Sequence, residues 1–405
     1  MKVLVVVDGH LVRTPDGKVW SARIYNYEFF ARYLSAFDEV RVAMRIKDVN
    51  NNEGYPNLCS GKHIEFWPID EFKGPKEYLV KFVKIKKKIK RYFDGCDCGI
   101  FRIPSTVGYQ FLHDFQRTGK SYSIEVVVDP WDFAAPGTLK TPLRPIIRYY
   151  WTNSLKQDCL KANGVSYVTK YALQERYPSC AKIYGEDELH FEEYYSSVNI
   201  PESYFGEPKD YQNVHHPVRI VHVTNFIGNH VKGHEELIEA VSKLKRKGID
   251  IEVDFVGEGT LIEEFKQYAV DHGVEEQIHF VGKIATPKEV RKKLQESDAF
   301  VFPSHAEGLP RVLIEAMAVG LPAISTNVNG IPELLSKDFL IEVGDVDELA
   351  RKIERIVTDS DVYNKASKDN LNRAREYSES ILQSRRKDFY NKLRLLCENQ
   401  TMSSY

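Results

Sequence analysis

Cysteine is scarce and irregularly placed: the six in 405 residues are Cys59, Cys96, Cys98, Cys159, Cys180 and Cys397. Such spacing gives no disulfide framework, and Cys96-x-Cys98 has no partner pair with which to build a zinc site. Reduced thiols in a cytoplasm are the expectation. An excess of positive charge is also missing. The net charge of −2 argues against bulk nucleic-acid binding, and no nucleic-acid partner is expected. No apolar run is long enough to span a bilayer. The run Lys2 to Asp8 (KVLVVVD) reads as a buried first strand and is too short for a signal peptide. Repeats and low-complexity tracts are absent.

Hydrophobic residues make up 42% of the chain and charged ones 28%, enough apolar material for more core than one ordinary domain holds. Two domains are therefore expected, at 1–205 and 206–385, with 386–405 as a returning helix and tail. Apolar β-rich runs alternate with helical patterns, which argues for parallel sheets with crossover helices. Strands are predicted at 2–8, 39–44, 64–67, 98–103, 123–128 and 165–169. In the second half they are predicted at 218–223, 251–256, 278–281, 298–303, 322–326 and 339–342. A polar, proline-bounded stretch from Ile200-Pro201 to His216-Pro217 reads as the linker. The fold class is α/β: two doubly wound domains facing across a cleft, with ligands at the strand C-termini.

The stretch SHAEGLPRVLIEAMAVGLPAIS carries the chemistry. Glu315 lies inside the run Leu313 to Ala318, which otherwise reads as a buried helix. A buried glutamate is either a core carboxylate satisfied by a neighbour or a ligand-binding group. Glu307 precedes it in the turn where Gly308 and Pro310 mark the change from loop to helix. Strand, turn and helix N-terminus make an anion site, because the first backbone N–H groups are unpaired. Two acids flanking such a site suit a ligand with hydroxyls at both ends and phosphate in the middle. Gly320 then caps the helix, and Asn329-Gly330 forms a tight turn before Ile331-Pro332-Glu333.

An acid, seven residues, a second acid, then Ala-Met-Ala-x-Gly-x-Pro and Gly-Ile-Pro-Glu resembles the signature of the retaining GT-B glycosyltransferases usually numbered four (glycosyl transferases group 1), of the bacterial surface-polysaccharide type. The resemblance implies a nucleoside-diphosphate sugar, UDP-linked by default, as donor and co-substrate, with no further cofactor. A glycan or lipid-linked glycan is the implied acceptor. It assigns Glu315 to the ribose hydroxyls, Glu307 to the sugar ring, and the N–H groups near Gly308 and Leu309 to the sugar or its phosphate. Lys232, in Asn225-Phe226-Ile227-Gly228-Asn229-His230-Val231-Lys232-Gly233, would bind the diphosphate. Relatives commonly carry an arginine a few residues before that lysine, whereas this chain offers Asn225, Gly228 and His230. Arg311 either supplies the missing charge or faces solvent. Gly257, Gly259 and Gly282, at strand ends, are implied to line the nucleoside pocket. Sugar-nucleotide 2-epimerases share this architecture, and so would a non-catalytic GT-B partner.

In the first domain, Asp16-Gly17 sits where the family keeps a glycine turn near the diphosphate. Asp129, where many relatives have histidine, either bonds the sugar or acceptor, with Arg102 as charge partner, or opens a turn before Pro130. Asp345-Val346-Asp347 reads as a helix cap and the scattered histidines lack ligand spacing, so no metal is expected. Residues 75–93 place Leu79, Phe82, Ile85, Ile89 and Tyr92 on one stripe and crowd lysines on the other faces. That helix either packs on the first sheet or lies on an anionic membrane surface at the inner leaflet.

Overall fold

The computed structural model describes residues 1–22, 24–72, 74–135 and 141–402. Among these the first sheet has nine strands: β1 (Lys2–Arg13), β2 (Val19–Ser21), β3 (Glu39–Asp48), β4 (Asn57–Leu58), β5 (Ile64–Ile69), β6 (Cys98–Ile103), β7 (Tyr122–Val126), β8 (Gly164–Tyr167) and β9 (Phe191–Tyr194). Its parallel core runs β5-β3-β1-β6-β7-β8-β9, while β2 and β4 add an antiparallel flap to the far end of β1. Val3 to Val7 are essentially inaccessible, as expected of a central strand covered on both faces.

The second sheet has six parallel strands: β10 (Val218–Phe226), β11 (Ile251–Glu258), β12 (Ile278–Gly282), β13 (Ala299–Phe302), β14 (Ala323–Thr326) and β15 (Leu340–Ile341). Their order β12-β11-β10-β13-β14-β15 reverses between β10 and β13, and the first sheet reverses between β1 and β6. Loops diverge at such switch points and leave a crevice at the strand C-termini.

The terminal helix Glu379–Met402 packs on β8, β9 and β6 of the first sheet, burying Leu382, Phe389, Tyr390 and Leu393. Gly206 N donates to Ala318 O, and the added Cβ of a residue at Gly206 would meet Val319 at 3.3 Å, so the linker is pressed against the second domain. The lysine-rich helix Gly74–Phe93 buries Ile85, Ile89 and Tyr92 in the first domain. The second half of its apolar stripe is thus core. Val80 and Val83 stand 81% and 58% exposed on the outer faces, and Lys84 reaches Asp70 at 2.9 Å. The side chain of Leu79 lies outside the described residues. No described helix is long and apolar enough to cross a membrane.

Candidate functional site

The site is built where the loops after β10 and β13 meet. Beyond β10, Asn229 caps a short turn, His230–Lys232, and Gly233 follows with φ +75°. A Cβ at Gly233 would lie 2.2 Å from the Pro303 carbonyl oxygen, so only glycine lets this turn press on the end of β13. His305 N donates to Val231 O at 2.7 Å and fixes the two loops together. Lys232 Nζ is thereby held 2.5 Å from Glu307 Oε1, which also accepts from Ser304 Oγ at 3.0 Å. Two residues before Glu307, His305 Nε2 lies 2.5 Å from Glu236 Oε1, and that carboxylate raises the imidazole pKa.

The acidic turn abuts the first domain. Asn329, in the left-handed region at φ +43°, donates its side-chain amide to Glu307 O at 2.7 Å and to the Asp132 carboxylate across the boundary. Gly330 N donates to Gly308 O at 3.0 Å. A Cβ on Gly308 would sit 3.7 Å from Val127 O and 3.8 Å from Val168 Cγ2, at the ends of β7 and β8. Glu307 and Gly308 therefore occupy the seam between the two sheets' C-terminal edges.

Helix Arg311–Ala318 starts after Pro310 with no side chain capping it, which leaves its first N–H groups directed outward. Arg311 and Glu315 are one turn apart on it. Among the described residues neither makes a hydrogen bond or ion pair, although Glu315 is half-buried. Burial raises the Glu315 carboxyl pKa, and the nearby Arg311 charge lowers it. A half-buried carboxyl with no hydrogen-bond partner among the described residues, beside outward N–H groups, is a candidate ligand-binding group.

At the end of β11, Gly257 has φ +149° and a Cβ there would meet Thr224 O at 2.6 Å. At Gly259 it would collide with Ile227 O at 1.9 Å. Both glycines thus have a packing reason: they let the loops after β11 and β10 interlock, with Asn225 and Phe226 left exposed. Gly282, at φ +80°, faces open space. Lys283 Nζ joins Glu258 at 3.0 Å and ties the loops after β12 and β11.

In the first domain Asp129 is fully buried and caps the short helix Pro130–Phe133, accepting from Trp131 N at 2.8 Å. Its partners are Tyr177, whose hydroxyl donates at 2.5 Å, and Arg176. The expected pairing with Arg102 is corrected. Arg102 donates to Glu125 at 2.5 Å, because these two face each other directly in the β6–β7 register. Gly17 is the exposed tip of the β1–β2 turn at φ +80°, with nothing within 4 Å of an added Cβ.

Sequence reasoning named Glu333 and Asn329 only as turn residues. The structure makes both interdomain contacts. The Glu333 carboxylate accepts from the backbone N–H groups of Lys170 (2.6 Å), Tyr171 (2.9 Å) and Ala172 (2.7 Å), at the start of the helix Ala172–Arg176. The available signal was an acid just after a tight turn, which does not reveal a partner more than 160 residues away.

Residues 211–373 match the family described as glycosyl transferases group 1. The chain is 28% identical to Protein CapJ of Staphylococcus aureus over 82% of its own length and 81% of that protein's. It is 35% identical to the amylovoran biosynthesis glycosyltransferase AmsK of Erwinia amylovora, over 35% of this chain and 37% of that one. Among solved structures, HepE of Anabaena in complex with UDP superposes with a TM-score of 0.63 over the whole of both chains at 17% identity, a likeness of fold.

Proposed function

Residues 211–373 being a glycosyl transferases group 1 domain, within a chain of GT-B architecture, we propose that this protein transfers a hexose-type sugar from UDP to a glycan or lipid-linked acceptor, with retention of anomeric configuration. The assembly of a bacterial surface polysaccharide is the context, as the name of AmsK suggests for that relative. The observation that carries the reading is Glu315. It is a half-buried carboxyl with no hydrogen-bond or ion-pair partner among the described residues, one turn from an equally unpartnered Arg311, on an uncapped helix whose entry turn abuts the other domain.

The geometry suits each part of such a donor. Glu315 would take the ribose hydroxyls. Arg311, Lys232 and the first N–H groups of helix Arg311–Ala318 would receive the diphosphate. Lys232 pairs with Glu307. A bound diphosphate would draw the ammonium away and release Glu307 to accept from sugar hydroxyls. During transfer the C1–O bond to phosphate breaks and a C1–O bond to the acceptor forms on the same face. The acceptor proton passes to a phosphate oxygen of the leaving UDP, so no carboxylate nucleophile is needed. Positive groups held in a closed cleft are stabilising chiefly as negative charge develops on the leaving group. Asp129 positions Arg176 beside Asp132 and the Asn329 bridge rather than reaching the cleft itself. For a lipid-linked acceptor, the lysines of helix Gly74–Phe93, with Val80 and Val83 exposed among them, would rest on anionic lipid.

The test is incubation with a panel of UDP-sugars and glycan acceptors, followed by time-resolved product analysis and NMR of the new anomeric centre. A product glycoside with retained configuration is expected. An epimerised nucleotide sugar, or no turnover of any donor that raises the melting temperature, would overturn the proposal.

A further inference from the structure

The first sheet carries a second group of ionisable side chains, away from the seam and outside every motif described above. β1 last pairs with β6 at Val6 and Phe101, and its pairing with β3 then breaks. Val7, Asp8 and Gly9 stand opposite the single Met44 before His10 resumes the register at Arg45. A bulge of this kind re-aims side chains out of the strand's ordinary alternation, and bulges gather beside binding sites. Gly9 allows it, since a Cβ there would lie 2.7 Å from the Tyr25 ring and 2.9 Å from Met44 Cε. The break falls at the C-terminal edge of the sheet, on the strand where its order reverses, β1 against β6. Doubly wound sheets open their ligand crevice at that place.

Four titratable groups meet there from three neighbouring strands. His10 Nδ1 lies 2.8 Å from Glu71 Oε1, two residues beyond the end of β5. Asp8 pairs with Arg45 of β3, and the same guanidinium donates to Phe72 O at 2.9 Å. The Arg45 side chain is only 11% exposed, whereas that of His10 is 48% exposed. A carboxylate can only accept, so Nδ1 carries the proton and Nε2 keeps its lone pair. Nε2 makes no hydrogen bond among the described residues, and one carboxylate oxygen of Asp8 and one of Glu71 likewise receive none. Three acceptor atoms, beside an arginine whose charge is already answered, suit a ligand rich in hydroxyl donors rather than an anion.

We propose that this edge is the subsite for the acceptor's terminal sugar, one of whose hydroxyls donates to His10 Nε2 while Glu71 holds the imidazole in place. The cluster and the residues that Gly308 approaches lie on the same C-terminal edge of one sheet, with β6 between β1 and β7. A sugar held at β1 therefore reaches the cleft from the first-domain side. The phosphate oxygen of the leaving UDP still takes the acceptor proton, and His10 orients the incoming sugar. Asp8 and Glu71 make the subsite one for a neutral sugar, since both repel a uronate. The acceptor role rests on the transferase reading, whereas binding a sugar at this edge does not.

The experiment uses the full chain saturated with UDP, with methyl glycosides of glucose, galactose and N-acetylglucosamine as probes. Saturation-transfer NMR is the readout. At least one glycoside should bind, and methyl glucuronide should bind more weakly. His10→Ala should weaken the glycoside by about fivefold or more, the worth of one hydrogen bond, with UDP affinity unchanged. Glu71→Gln keeps an acceptor for the Nδ1 proton and should bind near wild type. Glu71→Ala lets the ring turn and should resemble His10→Ala. In transfer assays His10→Ala should raise the acceptor KM by a similar factor and leave the donor KM alone. No glycoside bound by the wild type overturns the inference, as does binding undiminished in His10→Ala. Binding lost instead in Glu307→Gln would put the sugar at the donor turn and overturn it too. Failure of UDP itself to bind counts against the donor site, and glycoside binding is then read on the protein alone.

Discussion

Glu333 of the second domain accepts the backbone N–H of Lys170 of the first at 2.6 Å, and with the same carboxylate receives the next two N–H groups of that chain. A helix start is electropositive, and here its counter-charge comes from the opposite domain. Together with the bridge from Asn329 to Asp132, this fixes how the two strand edges meet. Glu333→Ala should therefore loosen the seam more than it disturbs either core. A cost of about 1–3 kcal/mol is expected for three charge-assisted bonds on a partly exposed group. The measurement is the radius of gyration by solution scattering with and without UDP. An unchanged, compact profile in the variant would show that Glu333 does not hold the domains together.

The two acids of the signature should separate in their effects. Glu315→Gln should weaken UDP binding by about 1–3 kcal/mol, the worth of a charge-assisted hydrogen bond lost to the ribose. Glu307→Gln should leave UDP affinity near wild type yet cut turnover, because its proposed partner is the sugar. Calorimetry with UDP and steady-state rates on both variants decide this. Equal UDP affinity in wild type and a folded Glu315→Gln would remove the ribose assignment.

Lys232→Ala is expected to lower the transfer rate more than it lowers nucleotide affinity, since the diphosphate gains charge only as the bond breaks. Arg311→Ala should behave alike if Arg311 stands in for the arginine that relatives carry before the lysine. It has the position for this: no hydrogen-bond or ion-pair partner among the described residues and a place in the first turn of an uncapped helix. Rates indifferent to Arg311→Ala would mark it as a solvent-facing residue.

Acid should destabilise the second domain through two histidines. His222 and His234 are buried with ring centroids 4.6 Å apart, and three of their four ring nitrogens lack a partner; the fourth, His222 Nδ1, lies 2.9 Å from Val301 O. Burial holds both neutral, with the His222 pKa pushed down to about 4 and that of His234 to about 2, Lys232 adding repulsion. An unfolded histidine takes up its proton near 6.5. Above that pH neither state is protonated and nothing is lost. As pH falls from about 6.5 the unfolded chain gains protons first, so stability drops, by roughly 3 kcal/mol for His222 alone by pH 4. His305 has the opposite sign: its raised pKa stabilises fully below 6.5 and is lost as pH rises through the folded value. Denaturant unfolding at pH 7 and 5 should show the net loss, and His234→Phe, which keeps the stack on Phe265, should flatten it.

The parallel strands were legible because buried β-branched runs leave little freedom of interpretation. β6 falls at the predicted 98–103, and the six strands of the second sheet lie within three residues of expectation at every end. β9 was missed because Phe191-Glu192-Glu193-Tyr194 has only two apolar residues, and its pairing with β8 comes from tertiary context. β1 runs on to Arg13 past Asp8-Gly9-His10, where its register with β3 shifts and resumes with Arg45 to Asp48. A bulge of that kind has no sequence signature beyond one glycine. Of the site, Glu307, Glu315 and Lys232 were visible as motif positions. Their mutual geometry was not, since Lys232 and Glu307 are 75 residues apart and meet only because Gly233 packs on Pro303. The Asp129–Arg102 error arose from choosing a partner near in the sheet without knowing the register, which set Arg102 opposite Glu125.

Helix Gly74–Phe93 gives the last prediction. Ile85, Ile89 and Tyr92 belong to the core, so any membrane contact must use the faces that carry Val80, Val83, Lys86, Lys87 and Lys90. Lys84 and Lys88 are partly committed to Asp70 and should contribute less. Each well-placed lysine near an anionic surface is worth roughly 1 kcal/mol, so three could supply measurable binding at low salt. Vesicles containing anionic lipid should cosediment the protein, neutral vesicles should not, and the effect should fade as ionic strength shortens the screening length. Changing Lys86, Lys87 and Lys90 together to Gln should abolish binding without lowering the melting temperature, because none of them is buried. Binding undiminished in that triple variant would place the contact elsewhere, the foremost alternative being the exposed Leu143, Ile146, Tyr149 and Tyr150 at the start of helix Arg144–Lys161.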